Sequence, residues 1–100
     1  MLVEFSIVPT DKGESLSRYV AKVLDVIDKS GLAYKLTPMD TVVEGEWDEI
    51  IPLIRKCHDI MREHSNRVLT SIKIDDRKEA KGRLEGKKKS IEMVLERKLK

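Results

Sequence analysis

The residues of this chain best suited to chemistry are two carboxylates in the stretch LTPMDTVVEGEW, which runs from Leu36 to Trp47. Pro38 lacks a backbone donor and has a fixed φ, which indicates a turn rather than a continuing central strand. The residues after it alternate, which predicts the second arm of a hairpin with Glu44 and Glu46 on one face. Glutamate is a poor strand former, so this pair invites an explanation beyond folding. An ordinary solvated face and a site for a cation both stay open.

The first strand predicted by the sequence adds further polar groups. Glu4 and Ser6 alternate with apolar residues, so they lie on the face opposite the core. Paired carboxylates could serve acid-base catalysis, but no pattern here supplies a nucleophile, oxyanion donors or a metal. Carboxylates beside hydroxyl groups in a partly apolar setting suit a small organic cation better. We therefore predict a binding protein that is not an enzyme and needs no cofactor.

The remaining reactive residues favour structural roles. Cys57 and His58 are adjacent in a predicted helix, so their side chains diverge by about 100° and do not converge on one metal ion. His64 follows six residues later, which is not the spacing of four used by helical metal sites. The sequence therefore predicts no metal site, with Cys57 in the core. Neither phosphate-loop glycine pattern occurs in the chain.

The composition indicates a small single-domain protein of the cytoplasm. Its 100 residues with 40% hydrophobic content fit one domain. Charged residues of both signs make up 38% and aromatic residues 4%, which is typical of proteins that work at high temperature. With Cys57 as the single cysteine, a reducing cytoplasmic setting is expected. The first residues follow a strand pattern without the layout of a signal peptide, which also favours a cytoplasmic protein.

Hydrophobic periodicity predicts a regular order of elements. Alternating residues predict strands, and apolar residues spaced by three and four predict helices. The order is β-α-β-β-α-β, an α+β ferredoxin-like sandwich with a four-stranded antiparallel sheet. The predicted segments are a strand at Leu2–Thr10, a helix capped by Ser15 and ended by Gly31, a strand at Leu32–Thr37, the hairpin arm Thr41–Trp47, a helix capped by Asp48 with Ile50, Leu53, Ile54, Cys57 and Met61 buried, and a strand at Val68–Ile74.

In this arrangement two helices cover one face of the sheet and leave the other uncovered, and we call the latter the open face. Its composition is too apolar for a purely wet surface and too charged for a core. We expect a partner there: a second subunit, a ligand, or both. The residues predicted on the open face are Leu2, Glu4, Ser6, Val8, Val42, Glu44, Glu46, Leu69, Ser71 and Lys73.

The chain divides into a ferredoxin-like domain at residues 1–76 and a basic helical extension at residues 77–100. The extension holds 10 of the 20 Lys and Arg residues and 4 of the 18 Asp and Glu residues. Apolar residues at helical spacing predict an amphipathic helix used in assembly, with a frayed, solvated tail as the alternative. RNA binding is a further alternative. It is disfavoured because the central strands lack the stacking aromatics of an RNA-recognition sheet.

Four segments carry a resemblance to a known family. They are Ser15-Leu16-Ser17-x-Tyr19-Val20, Ser30-Gly31-Leu32-x-Tyr34-x-Leu36, Pro38-Met39-x-Thr41-x-x-Glu44-Gly45-Glu46 and Ile72-Lys73-Ile74-Asp75-Asp76-Arg77. The chain resembles the small YkoF-like thiamine-binding family of bacteria, archaea and yeast, which usually has Gly where this chain has Asp40. The resemblance implies a ferredoxin-like protomer assembled into dimers and tetramers. It also implies binding of thiamine or a related pyrimidine without established catalysis.

We combine the resemblance with the residue analysis to name candidate ligand contacts. Thr41 and Glu44 come from the hairpin motif, and Met39 is expected to form an apolar wall. Ser15 and Ser17 are candidate hydrogen-bonding groups at the start of the first helix, with simple helix capping as the alternative. Glu4 joins them from the first strand. The alternative function is a structural or regulatory module that assembles into oligomers without a small ligand.

Overall fold

The computed structural model describes residues 1–13, 16–78 and 81–100. Four strands and two helices form the body, and a third helix follows it. No helix in the described part of the chain is long and apolar enough to cross a membrane. The elements are β1 (Leu2–Pro9), α1 (Ser17–Lys29), β2 (Ala33–Leu36), β3 (Thr41–Glu44), α2 (Trp47–His64), β4 (Val68–Asp75) and α3 (Arg83–Leu95).

The four strands form one antiparallel sheet in the order β2-β3-β1-β4. This order places each helical crossover between strands that are not neighbours, as the split β-α-β arrangement requires. The predicted α+β ferredoxin-like fold with an additional C-terminal helix is therefore confirmed.

Register decides which side chains face the helices. Val3 lies opposite Val43 on one side and Ile74 on the other. Residues paired directly across an antiparallel sheet point to the same face. These residues and their neighbours two positions away therefore face the helices. The open face receives Leu2, Glu4, Ser6, Val8, Ala33, Lys35, Val42, Glu44, Leu69, Ser71, Lys73 and Asp75.

The two body helices bury the stripes that hydrophobic spacing predicts. Val23 and Ile27 of α1 are buried, and the whole predicted stripe of α2 is buried: Ile50, Leu53, Ile54, Cys57 and Met61. Burial raises the pKa of the Cys57 thiol to about 11, so the group is uncharged at neutral pH. The expected position of Cys57 in the core is thus confirmed.

The junction between β3 and α2 differs from the sequence prediction. The hairpin arm ends at Glu44, and α2 already begins at Trp47. Glu46 is the N-cap residue of α2, and its backbone N–H donates to Glu49 Oε1 at 3.0 Å. Acidic side chains stabilise the positive end of a helix, so Glu46 belongs to the helix start rather than to the open face. Asp48, the predicted cap, lies in the first turn.

The start of α1 is only partly described. Ser15, the predicted cap, lies outside the described residues, and Leu16 is the N-cap residue. The helix ends at Lys29, and Gly31 follows with a φ of 80°. The left-handed glycine predicted after the helix is therefore confirmed.

A carboxylate links the two loops beside the β1–β4 pair. Asp11 Oδ1 accepts a hydrogen bond from Ser65 Oγ at 2.6 Å, and Oδ2 accepts one from the Asn66 backbone N–H at 3.0 Å. The bond from Ser65, followed by the bond from Asn66, lowers the pKa of Asp11. Asp11 thus ties the end of β1 to the segment that leads into β4.

The C-terminal helix α3 begins on the open face, which is consequently less bare than predicted. The Arg83 backbone N–H donates to Glu44 Oε2 at 3.0 Å, and the Arg83 guanidinium pairs with Asp75. Lys35 of β2 pairs with Glu85. The second half of α3 leaves the body, with Met93 80% exposed. The additional C-terminal helix is confirmed, and the division of the chain at residue 76 and the use of the extension in assembly stay predictions.

Two adjacent isoleucines of α2 test the burial pattern. Ile50 has no exposed surface, whereas Ile51 is 38% exposed. We expect Ile50→Ala to lower the free energy of unfolding by about 2–5 kcal/mol because it leaves a cavity in the core. Ile51→Ala, the matched control, should cost less than about 1 kcal/mol. Urea unfolding followed by circular dichroism measures both, and equal losses would contradict the packing described here.

The Asp11 contacts predict a specific sensitivity to acid. The pKa of Asp11 falls below its ordinary 3.8 on folding. The stability it contributes is therefore present above that value and is lost as the pH falls through the lowered pKa. Below about pH 4, Tm should fall more steeply in the wild type than in Asp11→Asn. Thermal unfolding in a pH series measures this, with the exposed helix-surface variant Glu63→Gln as control. A wild-type slope in Asp11→Asn would refute the assignment.

Candidate functional site: a cavity beside a strand edge

The unequal lengths of β1 and β3 leave a gap in the sheet. β1 has eight residues and β3 has four. Their pairing ends where Phe5 meets Thr41, while β1 continues to Pro9 with β4 as its partner. The second half of β1 therefore presents an edge on its β3 side. A strand edge carries backbone donors and acceptors that need partners.

A cavity of 270 Å³ occupies this gap. The edge of β1, the first half of α1 and the turn between β2 and β3 surround it. Its walls combine apolar side chains, including Phe5, Ile7, Leu16, Val20, Leu24 and Leu36, with the hydroxyl-bearing residues Ser6, Thr37 and Thr41. Apolar walls with a few convergent polar groups are typical of small-molecule sites.

The turn that closes the cavity is held by its own side chains. The Thr37 backbone N–H donates to the Asp40 carbonyl oxygen at 2.8 Å. Thr37 Oγ1 accepts from the backbone N–H groups of Asp40 at 3.0 Å and Met39 at 3.2 Å. Pro38 adds a fixed φ to this turn. The hydrogen bonds of the turn thus fix one wall of the cavity. Met39 belongs to this turn, and 86% of its surface is exposed.

Two of the candidate contacts named from the sequence meet at this cavity. Met39 and Thr41 both line it, and Thr41 is 5% exposed. Ser17 is the exposed first residue of α1 and does not line the cavity, although its neighbour Leu16 does. Ser15 lies outside the described residues. A role of any of these residues in binding stays a prediction.

The two candidate glutamates lie on the open face and have different neighbours. Glu44 stands at the far end of β3, about 10 Å along the strand from Thr41, and accepts the hydrogen bond from Arg83. Glu4 pairs across the sheet with Val42 and Lys73. A depression of 100 Å³ beside Glu4 also contains Lys73 and Asp40. Glu44 is therefore part of the α3 attachment, whereas Glu4 adjoins the cavity turn.

Asp40 is the site residue to which sequence reasoning assigned no contact. It is the single residue with a charged side chain among the described residues that line the cavity. Its hydrogen bond, and then its negative charge, raise the pKa of Glu4, while Lys73 acts in the opposite direction. The signal in the sequence was its position, where the resemblance to the YkoF-like family implies glycine. Asp40 has no positive φ, so the turn does not require glycine there.

No group of three or more His, Cys, Asp or Glu side chains that could hold a metal ion occurs within residues 1–13, 16–78 and 81–100. The two histidines lie apart. His58 Nδ1 is 2.6 Å from Thr70 Oγ1, and His64 Nε2 is 3.2 Å from Lys22 Nζ. Both have partners that serve packing between elements. The cavity, with its apolar walls, hydroxyl-bearing residues and a carboxylate, is accordingly the candidate functional site.

Comparison with known proteins agrees with this architecture. A UPF0045 protein of Methanocaldococcus jannaschii is 38% identical over 91% of both chains, and one of Bacillus subtilis is 36% identical over 82% of this chain and 84% of its own. The crystal structure of a hypothetical protein from M. jannaschii superposes with a TM-score of 0.82 at 39% identity, covering 90% of this chain and 93% of that one.

A more distant structure shows the same fold. A Thermotoga maritima protein described as a candidate for thiamine biosynthesis or salvage superposes with a TM-score of 0.78 at 22% identity, covering 90% of this chain and 96% of that one. The model of the family named thiamine-binding protein matches residues 3–92. On this match and on the relatives above 30% identity, the chain belongs to the thiamine-binding protein family, UPF0045.

Proposed function

We propose that this protein binds thiamine or a related heteroaromatic cation reversibly in the cavity beside β1, without catalysing a reaction. The observation that carries the proposal is an apolar cavity with one carboxylate residue in its described lining and a strand edge along one wall. The name of the family and the description of the T. maritima structure support thiamine in particular.

The chemistry of thiamine matches the groups that surround the cavity. Thiamine joins a flat aminopyrimidine to a cationic thiazolium ring. An aminopyrimidine can exchange hydrogen bonds with a strand edge and with a hydroxyl group such as that of Thr41. The apolar walls suit its ring faces, and Met39 is a flexible side chain that adapts to a ligand surface. Asp40 supplies the opposite charge for the thiazolium.

A homo-oligomer, with a dimer of dimers as the expected form, is part of the proposal. Leu69 on the open face is 58% exposed, and Met93 and Val94 on α3 are 80% and 83% exposed. Apolar groups of this kind gain stability when a second copy covers them. These surfaces also support the second candidate function, an interaction module of the cytoplasm whose role is assembly alone.

Two exposed methionines provide a matched test of the cavity. Met39 lies at the cavity and Met93 lies on α3, and their exposures are 86% and 80%. We expect Met39→Ala to weaken thiamine binding several-fold, because it removes an apolar contact worth about 1 kcal/mol. Met93→Ala should leave the affinity unchanged. Calorimetric titration with thiamine and its phosphates measures both affinities.

A cavity-filling variant completes this test. Val20→Trp should abolish binding by occupying the cavity, and circular dichroism checks that it folds. An absence of heat with thiamine and each of its phosphates in the wild type would refute the binding proposal. The interaction module would then be the favoured function.

Glu44 tests the contribution of α3 to assembly. Glu44→Ala removes the acceptor for the Arg83 backbone N–H, so we expect a looser α3 and a shift toward smaller species in sedimentation equilibrium. Thiamine titration of the same variant tests the ligand contact predicted from the sequence. A wild type that sediments as a monomer at micromolar concentration would contradict the proposed oligomer.

A further inference from the structure

Asp40 contributes to two neighbouring spaces. It lines the 270 Å³ cavity beside β1 and also the 100 Å³ depression on the open face, where Glu4 and Lys73 lie. These spaces share Phe5, Ser6 and Asp40, and Asp40 is the charged member of the three. The Asp40 carboxylate therefore belongs both to the lining of the ligand cavity and to the group of charged side chains, Glu4 and Lys73, on the open face.

The turn fixes the position of this carboxylate. Asp40 Oδ1 lies 3.0 Å from Thr37 Oγ1, which also lies 3.0 Å from the Asp40 carbonyl oxygen. The Asp40 backbone N–H donates to the same hydroxyl at 3.0 Å. A carboxylate held in this way loses little conformational freedom when a ligand arrives. Asp40 is thus preorganised.

Glu4 and Asp40 line the same depression on the open face. The pKa of Glu4 is raised above its ordinary 4.5, foremost by the hydrogen bond with Asp40 and then by the charge of Asp40. Two neighbouring carboxyl groups do not both ionise readily, so Glu4 keeps its proton to a higher pH than an isolated glutamate does. Lys73 faces Glu4 from β4 and opposes this effect.

The other carboxylates on this face have a different partner. Glu44 and Asp75 lie farther along β3 and β4, and both bind Arg83. Glu4 and Asp40 are therefore the open-face carboxyl groups that adjoin the cavity.

Building on the proposed function, we propose that Asp40 selects a cationic ligand for the cavity and that Glu4 is its proton-coupled partner. The cation takes the place of the shared proton: it docks against the Asp40 carboxylate, and Glu4 releases its proton to solvent. The bound state then holds fewer protons than the free state, so affinity rises with pH through the titration of Glu4. A neutral ligand of similar shape gains nothing from this pair.

Proton release can be measured directly. The wild type is titrated calorimetrically with thiamine at about pH 5 and about pH 8, in buffers of different ionisation enthalpy. We expect release of a fraction of a proton per bound thiamine at the lower pH and none at the higher, with an affinity several-fold greater at pH 8. Glu4→Gln should reduce both the release and the pH dependence to the part that the aminopyrimidine of thiamine itself contributes. Asp75→Asn removes another open-face carboxylate and should leave both unchanged.

Charge selection is measured with Asp40→Asn. We expect an affinity for thiamine about 10-fold weaker, because a charge-assisted contact is lost. Binding of thiochrome, the neutral oxidised form of thiamine, should change by less than about twofold. Asp40→Gly removes the carboxylate altogether and provides a second variant if Asp40→Asn folds poorly.

The outcomes separate this inference from the proposed function. A wild type that does not bind thiamine overturns both. A wild type that binds thiamine without releasing a proton, or Asp40 variants that retain the wild-type preference for thiamine over thiochrome, overturn this inference alone.

Discussion

The constraint on which the site depends is the early end of the β1–β3 pairing. The central strand β1 hydrogen-bonds to β4 along its full length, but its contact with β3 stops at Phe5 and Thr41. Backbone groups beyond that point need other partners. The turn from Thr37 to Asp40 stands beside them and leaves space between. The cavity is thus a product of strand length and register more than of any single side chain.

The charged side chains on the open face form two groups, one that contacts α3 and one beside the cavity. At one end, Arg83 binds Glu44 and Asp75 and attaches α3 to the body. Two residues farther along β1, Glu4 shares a depression beside the cavity with Asp40 and Lys73. Glu4 and Glu44, which the sequence analysis placed together on the open face, therefore have different neighbours. This division lets the surface used by α3 vary without altering the charge that faces the cavity.

Periodic patterns predicted most of the fold, because burial imposes them directly. The stripe from Ile50 to Met61 and the alternation in β1 both follow from which faces are covered. Alternation failed at Glu46, because a helix cap also places a polar residue in an extended conformation. The cavity was not predictable in the same way. Its position depends on which residue of β1 meets Thr41, and hydrophobic spacing does not encode where a ladder stops.

The pairing of the first strand with the last has a consequence for how the chain is made. Leu2 pairs with Asp75, and Pro9 pairs with Val68. The longest ladder of β1 therefore cannot form until residues 68–75 have left the ribosome. Closing so long a loop slows folding far more than it weakens the final state. Until then, Val3 and Phe5 lack their neighbours on β4. Apolar side chains exposed in this interval favour aggregation, and a chaperone that binds them would prevent it.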